Sequence, residues 1–226
     1  SCKMKHLSFY TITLFFTLCL MSCSPQPQGN TIQHTQSAAP VSNRVTRQKD
    51  TSQLEAGLIK QGLINVHELD TSIRVALHYS TSQNFLKKPM YEGLTDCYLP
   101  CEVAIKLSNA QYYLKQNFPN YSIIVFDAVR PLHIQKQMWD ELKMPAAQKI
   151  NYLAHPNDIS LHNYGAAVDV GIIGTNDVLL DMGTPFDFFG ELSEPKKEAH
   201  FYKTGELSQK ALTNRLLLRK CMLKAG

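Results

Sequence analysis

The sequence contains no uninterrupted apolar run of eighteen residues, so nothing in it reads as a mid-chain membrane span. It also has no excess of one charge where a domain would lie. Lys3, Lys5, Arg44, Arg47 and Lys49, set against Asp50, account for the whole net charge of +4, and from Gln53 onward acids and bases balance. Nucleic-acid binding needs a basic surface, and this domain has no surplus to supply one. Familiar catalytic signatures are missing too. There is no Gly-x-Gly-x-x-Gly or Walker loop, no Gly-x-Ser-x-Gly elbow and no His-Glu-x-x-His pair, which leaves no sequence basis for a dinucleotide enzyme, a P-loop enzyme, a serine hydrolase of the elbow type or a zincin. Cysteine is scarce. Cys2, Cys19 and Cys23 fall at the start, which leaves Cys97, Cys101 and Cys221 for the rest, too few for a thiolate zinc site. Cys97 and Cys101 lack the redox Cys-x-x-Cys spacing and admit either a local bridge or two buried thiols.

The first fifty residues carry addressing rather than fold. Lys3 and Lys5 precede the apolar stretch Leu7–Met21, which has the charge and length of a secretory signal. It closes in Leu20-Met21-Ser22-Cys23, which resembles a bacterial lipobox, with residues 1–22 as signal peptide and Cys23 as the lipidated residue. A plain secretory signal with an incidental cysteine is the other reading. The sequence opens three residues ahead of Met4, which is expected to be the true start. Residues 23–53 are rich in Gln, Ser, Thr, Asn and Pro, without an aromatic residue or a periodic apolar pattern, and read as a disordered tether. Residues 54–226 remain as one domain, long enough to bury a core.

That domain reads as α+β, with a small mixed or antiparallel sheet and flanking helices. Ile73–Leu77 alternates as a strand does, and Tyr121–Phe126 is a short buried strand by its length and β-branched content. Val103, Leu107, Ala110 and Leu114 stripe a helix after Pro100; Ile134, Met138 and Leu142 stripe another after Pro131. Ala166–Ile172 is strand-like, with Val178–Leu180 pairing nearby, and Leu212, Leu216 and Leu223 mark a last helix.

Three stretches can carry chemistry. In Ser160-Leu161-His162-Asn163-Tyr164-Gly165-Ala166-Ala167-Val168-Asp169, a loop histidine leads through a glycine into a strand bearing an aspartate. An imidazole nitrogen and a carboxylate oxygen on one rigid turn-strand unit suit a zinc ion, and an unpaired carboxylate on an apolar strand calls for a cation. In Asp127-Ala128-Val129-Arg130-Pro131, Arg130 brings a permanent cation with a planar donor fork to a strand end, suited to a carboxylate or a developing oxyanion; the plainer alternative is a local Asp127–Arg130 ion pair. Tyr79-Ser80-Thr81-Ser82-Gln83-Asn84-Phe85 is a polar and aromatic loop after a strand.

Taken in order, Tyr79…Asn84-Phe85, Tyr91, Asp127-x-x-Arg130-Pro131, Ser160-x-His162-x₃-Gly165-x-Ala167-x-Asp169, Asp181-Met182-Gly183-Thr184-Pro185-Phe186-Asp187 and Asn214-Arg215-Leu216-Leu217 resemble the D-alanyl-D-alanine dipeptidase family, from about Leu63 onward. The resemblance implies the zinc D,D-peptidase (Hedgehog/DD-peptidase-like) fold and a dipeptidase that uses one zinc per chain to cut D-Ala-D-Ala into two D-alanines. It implies His162 and Asp169 as zinc ligands, Arg130 as the oxyanion stabiliser, and Tyr79 and Ser160 as contacts to the dipeptide. Val129 departs from the tyrosine usual there. In the family, the third ligand and the general base lie in a Glu-Trp-Trp-His stretch after the last helix. This sequence stops at Gly226, where that stretch is expected to begin, so the chain as written is expected to lack both. Glu198-Ala199-His200 is set aside as a substitute, because it has one intervening residue instead of two, precedes the last helix and sits in a charged, loop-like stretch. The expected protein is a periplasmic or outer-membrane-attached bacterial lipoprotein that meets the membrane only through its lipid and binds no nucleic acid. Two alternatives stay open: a D,D-carboxypeptidase acting on peptidoglycan stem peptides, and a lipoprotein that binds cell-wall peptide without catalysis.

Overall fold

The computed structural model describes residues 51–226. The signal peptide, Cys23 and nearly all of the tether lie outside the described residues. In chain order the elements are α1 (Gln53–Lys60), β1 (Ile64–Asn65), β2 (Arg74–Val75), β3 (Tyr98–Leu99), α2 (Cys101–Asn117), β4 (Ser122–Asp127), α3 (Leu132–Glu141), α4 (Ala146–Lys149), β5 (Asp169–Ile173), α5 (Glu198–Thr204) and α6 (Gln209–Lys224). Helix α1 opens with the Ser52 hydroxyl accepting from the Glu55 amide at 3.1 Å, so Ser52 and Gln53 belong to the domain and not to the tether that their composition suggests.

Strand β4 is the centre of the fold. It runs parallel to β2 on one side and antiparallel to β5 on the other, while β1 and β3 form a separate antiparallel pair. This is the expected α+β arrangement with a small mixed sheet. β4 is buried along most of its length, as its run Ile123-Ile124-Val125 requires, and α2 packs against it through Ala104, Leu107, Ala110 and Leu114. Pro100 stands just ahead of α2 and Pro131 just ahead of α3, where a missing amide costs no helical hydrogen bond. One buried polar side chain fastens helix to strand: Gln111 on α2 accepts from the Ile123 amide at 2.6 Å and donates to Ser72 Oγ at 3.2 Å.

Three sequence expectations change. Only Arg74 and Val75 of the Ile73–Leu77 stretch pair as a strand, because the chain turns into a short 3₁₀ segment at His78–Ser80. Helix α6 is present, but its leucine stripe does not face the core: Leu216 and Leu223 are exposed, and Ala211 and Cys221 are the buried positions. Its rotation follows its polar anchors. Arg215 donates to the Met182 carbonyl at 2.6 Å and the Leu192 carbonyl at 3.0 Å, and Arg219 to Glu198 at 2.8 Å, bonds that hold the helix in this rotation. Cys97 is a free, fully buried thiol with its pKa pushed up by burial, so no local Cys97–Cys101 bridge forms.

The Ser160–Asp169 unit depends on one backbone position. Gly165 closes the 3₁₀ turn Leu161–Tyr164 at φ +63°, and a Cβ there would stand 2.6 Å from Pro100 Cδ. Gly165→Ala is therefore expected to cost about 2–3 kcal/mol, from a left-handed backbone and an overpacked contact together. Gly57, inside α1 with nothing within 4 Å of its missing Cβ, is the contrasting site, where alanine should stabilise by about 0.5–1 kcal/mol. Urea denaturation of the two variants should shift the midpoint in opposite directions; a common direction would contradict this assignment.

Candidate active site

Two strand ends build the site. β4 and β5 pair with a register shift between Val125 and Asp127, which sets Asp127 opposite Asp169 at the end of the ladder. Such a bulge re-aims the residues at a strand end. Beyond Asp127 the chain turns through Ala128–Pro131 into α3; ahead of Asp169 it comes from the 3₁₀ turn that carries His162. These two segments are tied directly. The Arg130 amide donates to the His162 carbonyl at 2.9 Å, and the Asn163 side-chain amide donates to the Arg130 carbonyl at 2.8 Å and to Gln135 Oε1 at 3.0 Å. Ser160 caps the turn: its hydroxyl accepts from the His162 amide at 3.3 Å, and its own amide donates to Asn163 Oδ1 at 2.8 Å.

The imidazole of His162 is held by its inner nitrogen. Nδ1 lies 2.8 Å from the Ala128 carbonyl, a bond that requires Nδ1 to carry the proton and leaves Nε2 as an acceptor. Nε2 faces Asp169 Oδ1 at 3.6 Å. Burial lowers the pKa of His162, but the Asp169 and Asp127 carboxylates favour the protonated ring, in which Nε2 becomes a donor towards Asp169, and the net shift is upward. Asp169 itself is not the buried, uncompensated carboxylate that the strand pattern implied. Its side chain is 43% exposed because it sits at the strand's first residue, so it is the pairing with His162 Nε2, not burial, that makes it a metal-ligand candidate.

Asp127, His162 and Asp169 are the described residues whose donor atoms converge closely enough to hold a cation, all within 4.8 Å of one another. Their donors are not equally free. Asp127 is fully buried and already accepts from the Tyr91 hydroxyl, the Ala128 amide at 3.0 Å, and both Nε (3.1 Å) and Nη2 of Arg130. Its Oδ2 stands 3.5 Å from His162 Nδ1, the nitrogen committed to Ala128. Asp127 thus stands behind the imidazole, supporting it, while Nε2 and Asp169 point outward together.

Arg130 is buried, and Asp127 dominates its surroundings. Desolvation by itself would lower its pKa, but Asp127, Tyr91 and Tyr79 raise it further, so it stays charged. The local ion pair anticipated as the plainer alternative is real, and it does not consume the fork: Nη1 donates to no described residue. Tyr79 lies beneath, its ring centroid 5.0 Å from the guanidinium carbon. The Tyr79 hydroxyl donates to Asp187 Oδ1 at 2.9 Å, and the Phe85 amide donates to Asp187 Oδ2 at 3.0 Å. Burial raises the pKa of Asp187 against the opposing effect of those two donors.

The sequence-based residues Tyr79, Arg130, Ser160, His162 and Asp169 therefore come together around one centre, with Ser160 and Tyr79 engaged by their neighbours. Asp187 and Asn163 stood within the motifs read from sequence but were given no role there, while the Asp127–Arg130 pair was anticipated. Asp187 stands at φ +60°, an unusual backbone for an aspartate, but that strain has no sequence signature. A cleft of about 1090 Å³ runs from Asp169–Gly171 across to the Met182–Phe189 loop, with His78 in its wall between Phe126 and Phe186. Glu198 and His200 are elsewhere. They lie in a helix rather than a loop, Glu198 buried and paired with Arg219 and Arg215, His200 exposed.

A comparison with curated proteins finds no match. The profile of peptidase family M15, described as D-ala-D-ala dipeptidase, matches residues 59–226, a span that contains every residue of the centre just described. With the α+β fold, the convergent histidine and aspartates and the buried arginine, the match settles the relationship: this chain belongs to the D-Ala-D-Ala dipeptidase family of zinc-type metallopeptidases.

Proposed function

We propose that the protein hydrolyses the free dipeptide D-Ala-D-Ala to two D-alanines, with His162 and Asp169 as two of the protein ligands of one zinc per chain. The observation that carries this reading is the outward convergence of His162 Nε2 and Asp169 Oδ1 while Ala128 occupies the inner imidazole nitrogen. That donor set fits zinc: a neutral imidazole with its tautomer fixed by a backbone carbonyl, beside a carboxylate. Asp127 would have to abandon Arg130 and Tyr91 to join it, at a cost of several kcal/mol for a buried pair. Zinc, when bound, supplies Lewis acidity at the scissile carbonyl and acidifies water beside it.

Two further groups among the described residues act on the substrate. Arg130, its Nε and Nη2 tied to Asp127, offers Nη1 to the oxygen on which negative charge develops. Asp187 offers a carboxylate to the free ammonium of the dipeptide, held in place by Tyr79 and the Phe85 amide. An internal residue of a longer peptide brings a neutral amide to that position and forgoes the charge pair. A second reading, a D,D-carboxypeptidase on stem peptides, is favoured by the cleft beside Asp169 and Asp187, whose volume of about 1090 Å³ is more than two alanines fill.

The full-length protein should bind about one zinc per chain and lose it in His162→Ala and in Asp169→Ala. Arg130→Ala should keep the metal and lower kcat by about 10²–10³-fold. Zinc content by atomic emission, read beside D-alanine release, tests both; full zinc in the two ligand variants would remove this centre from consideration.

Asp187→Asn should raise KM for free D-Ala-D-Ala with little change in kcat. The sign of the pH effect follows from the upward shift: the ionised carboxylate is the binding form, so KM should rise as pH falls through a pKa above the ordinary aspartate range. D-alanine release from a pentapeptide stem exceeding that from the dipeptide, with no KM effect in Asp187→Asn, would favour the carboxypeptidase.

For location, we propose export and lipid anchoring through Cys23, on the strength of the Leu20–Cys23 box and the apolar run before it. Among the described residues no helix is long and apolar enough to cross a membrane. Expressed with its leader in a bacterial host, the protein should sediment with membranes and become soluble on Cys23→Ala; a mature N-terminus other than Cys23 would refute the anchor.

A further inference from the structure

Resting on the reading of Arg130 as the oxyanion donor, we propose that Tyr91 is a positioning residue for Arg130, and that its hydroxyl sets the rotation of the Asp127 carboxylate so that one guanidinium nitrogen stays free for the substrate. Tyr91 has no exposed surface, and its hydroxyl donates to Asp127 Oδ1. The Ala128 amide donates to the same oxygen at 3.0 Å. With Oδ1 filled from one side by these two donors, only Oδ2 faces Arg130, and both Nε and Nη2 close on that single oxygen.

The alternative geometry is the common one. A carboxylate free to turn presents both oxygens to a guanidinium and takes it end on, in the fork-to-fork pairing that arginine prefers. Here that turn would swing the guanidinium plane and move Nη1, the nitrogen that donates to no described residue. It would also carry Oδ2 away from its place 3.5 Å behind His162 Nδ1. The Tyr91 hydroxyl opposes this motion because leaving it without an acceptor at a fully buried position costs on the order of 1–3 kcal/mol. The backbone of the same residue serves the other side of the site. The Tyr91 amide donates to the Tyr79 carbonyl at 3.1 Å, and its ring meets the Tyr79 ring at 5.7 Å between centroids. Tyr79 in turn underlies Arg130. Tyr91 therefore braces Arg130 through the Asp127 carboxylate, by its hydroxyl's own interaction with the guanidinium, and from below.

Tyr91→Phe removes the hydroxyl and keeps the ring, so the packing arguments survive the substitution. In the zinc-loaded full-length protein, kcat should fall about 10–50-fold with KM within about threefold, a fraction of the Arg130 effect on the oxyanion scale. Affinity for a phosphinate analogue of the dipeptide should fall by the same factor as kcat/KM, because the analogue carries the charge that Arg130 meets. In an Arg130→Ala background the same change should have no further effect on kcat. The Arg130 Nε–H signal in proton–nitrogen spectra, slow to exchange in the parent, should shift and exchange faster in Tyr91→Phe. A merely structural tyrosine would lower the melting temperature and leave the signal and the kcat-to-KM split alone. An unchanged Nε–H signal, or a kcat loss that persists undiminished in the Arg130→Ala background, would overturn the assignment. No effect of Arg130→Ala itself on turnover or on phosphinate affinity would instead strike the function reading on which it rests.

Discussion

Asp127 is a carboxylate without access to water at the end of the central strand, and the geometry of the whole centre depends on how its charge is met. Such a group is tolerable only if every lone pair is engaged, and here Tyr91, Ala128 and Arg130 engage them. The consequence is mutual: Asp127 keeps Arg130 charged and in place, and Arg130 holds the Asp127 carboxylate behind His162. Because both oxygens are committed inward, the outward-facing donors of this group, among the described residues, are those of His162 and Asp169. The division of labour among three neighbouring ligand-type residues thus follows from hydrogen-bond saturation, not from distance.

The rest of the fold holds two strand ends and two loops against that point. β4 is gripped by Gln111 on α2 at its start and by the β5 ladder along its length, so its end is stiff. The His162 turn is clipped to the Arg130 turn by Asn163, which spends its side chain on three bonds within the two segments. Across the site, Asp187 is reached from a loop whose base is fastened to α6 through Arg215, so a distant helix helps to place that carboxylate. Function here rests on loops, as is common, but on loops pinned at both ends to regular elements.

Arg130 and the Asp187 carboxylate are each held by neighbouring groups, Arg130 by Asp127 and Asp187 by the Tyr79 hydroxyl and the Phe85 amide. Electrostatic groups of fixed orientation are effective because they need no rearrangement as the charge develops.

Much of this was legible in residue order. The helices after Pro100 and Pro131, the buried run of β4 and the His162-to-Asp169 unit are local patterns, and local patterns survive into structure because periodicity and turn chemistry act within a few residues. The family resemblance rested on the same short-range motifs, and the match over residues 59–226 agrees with it. Side-chain order alone could not tell that α6 would turn Leu216 and Leu223 outward, since that rotation answers to carbonyls at Met182 and Leu192 brought in from another loop. Nor could it tell that Asp127 faces inward, that Asp169 stands half in water, or that Asp187 meets Tyr79 across 108 positions. Sequence determined which ligand-type residues the chain possesses and the short turns that carry them. Tertiary structure decided which of them are free to act, because that depends on whose hydrogen bonds are already taken, and their partners come from distant parts of the chain.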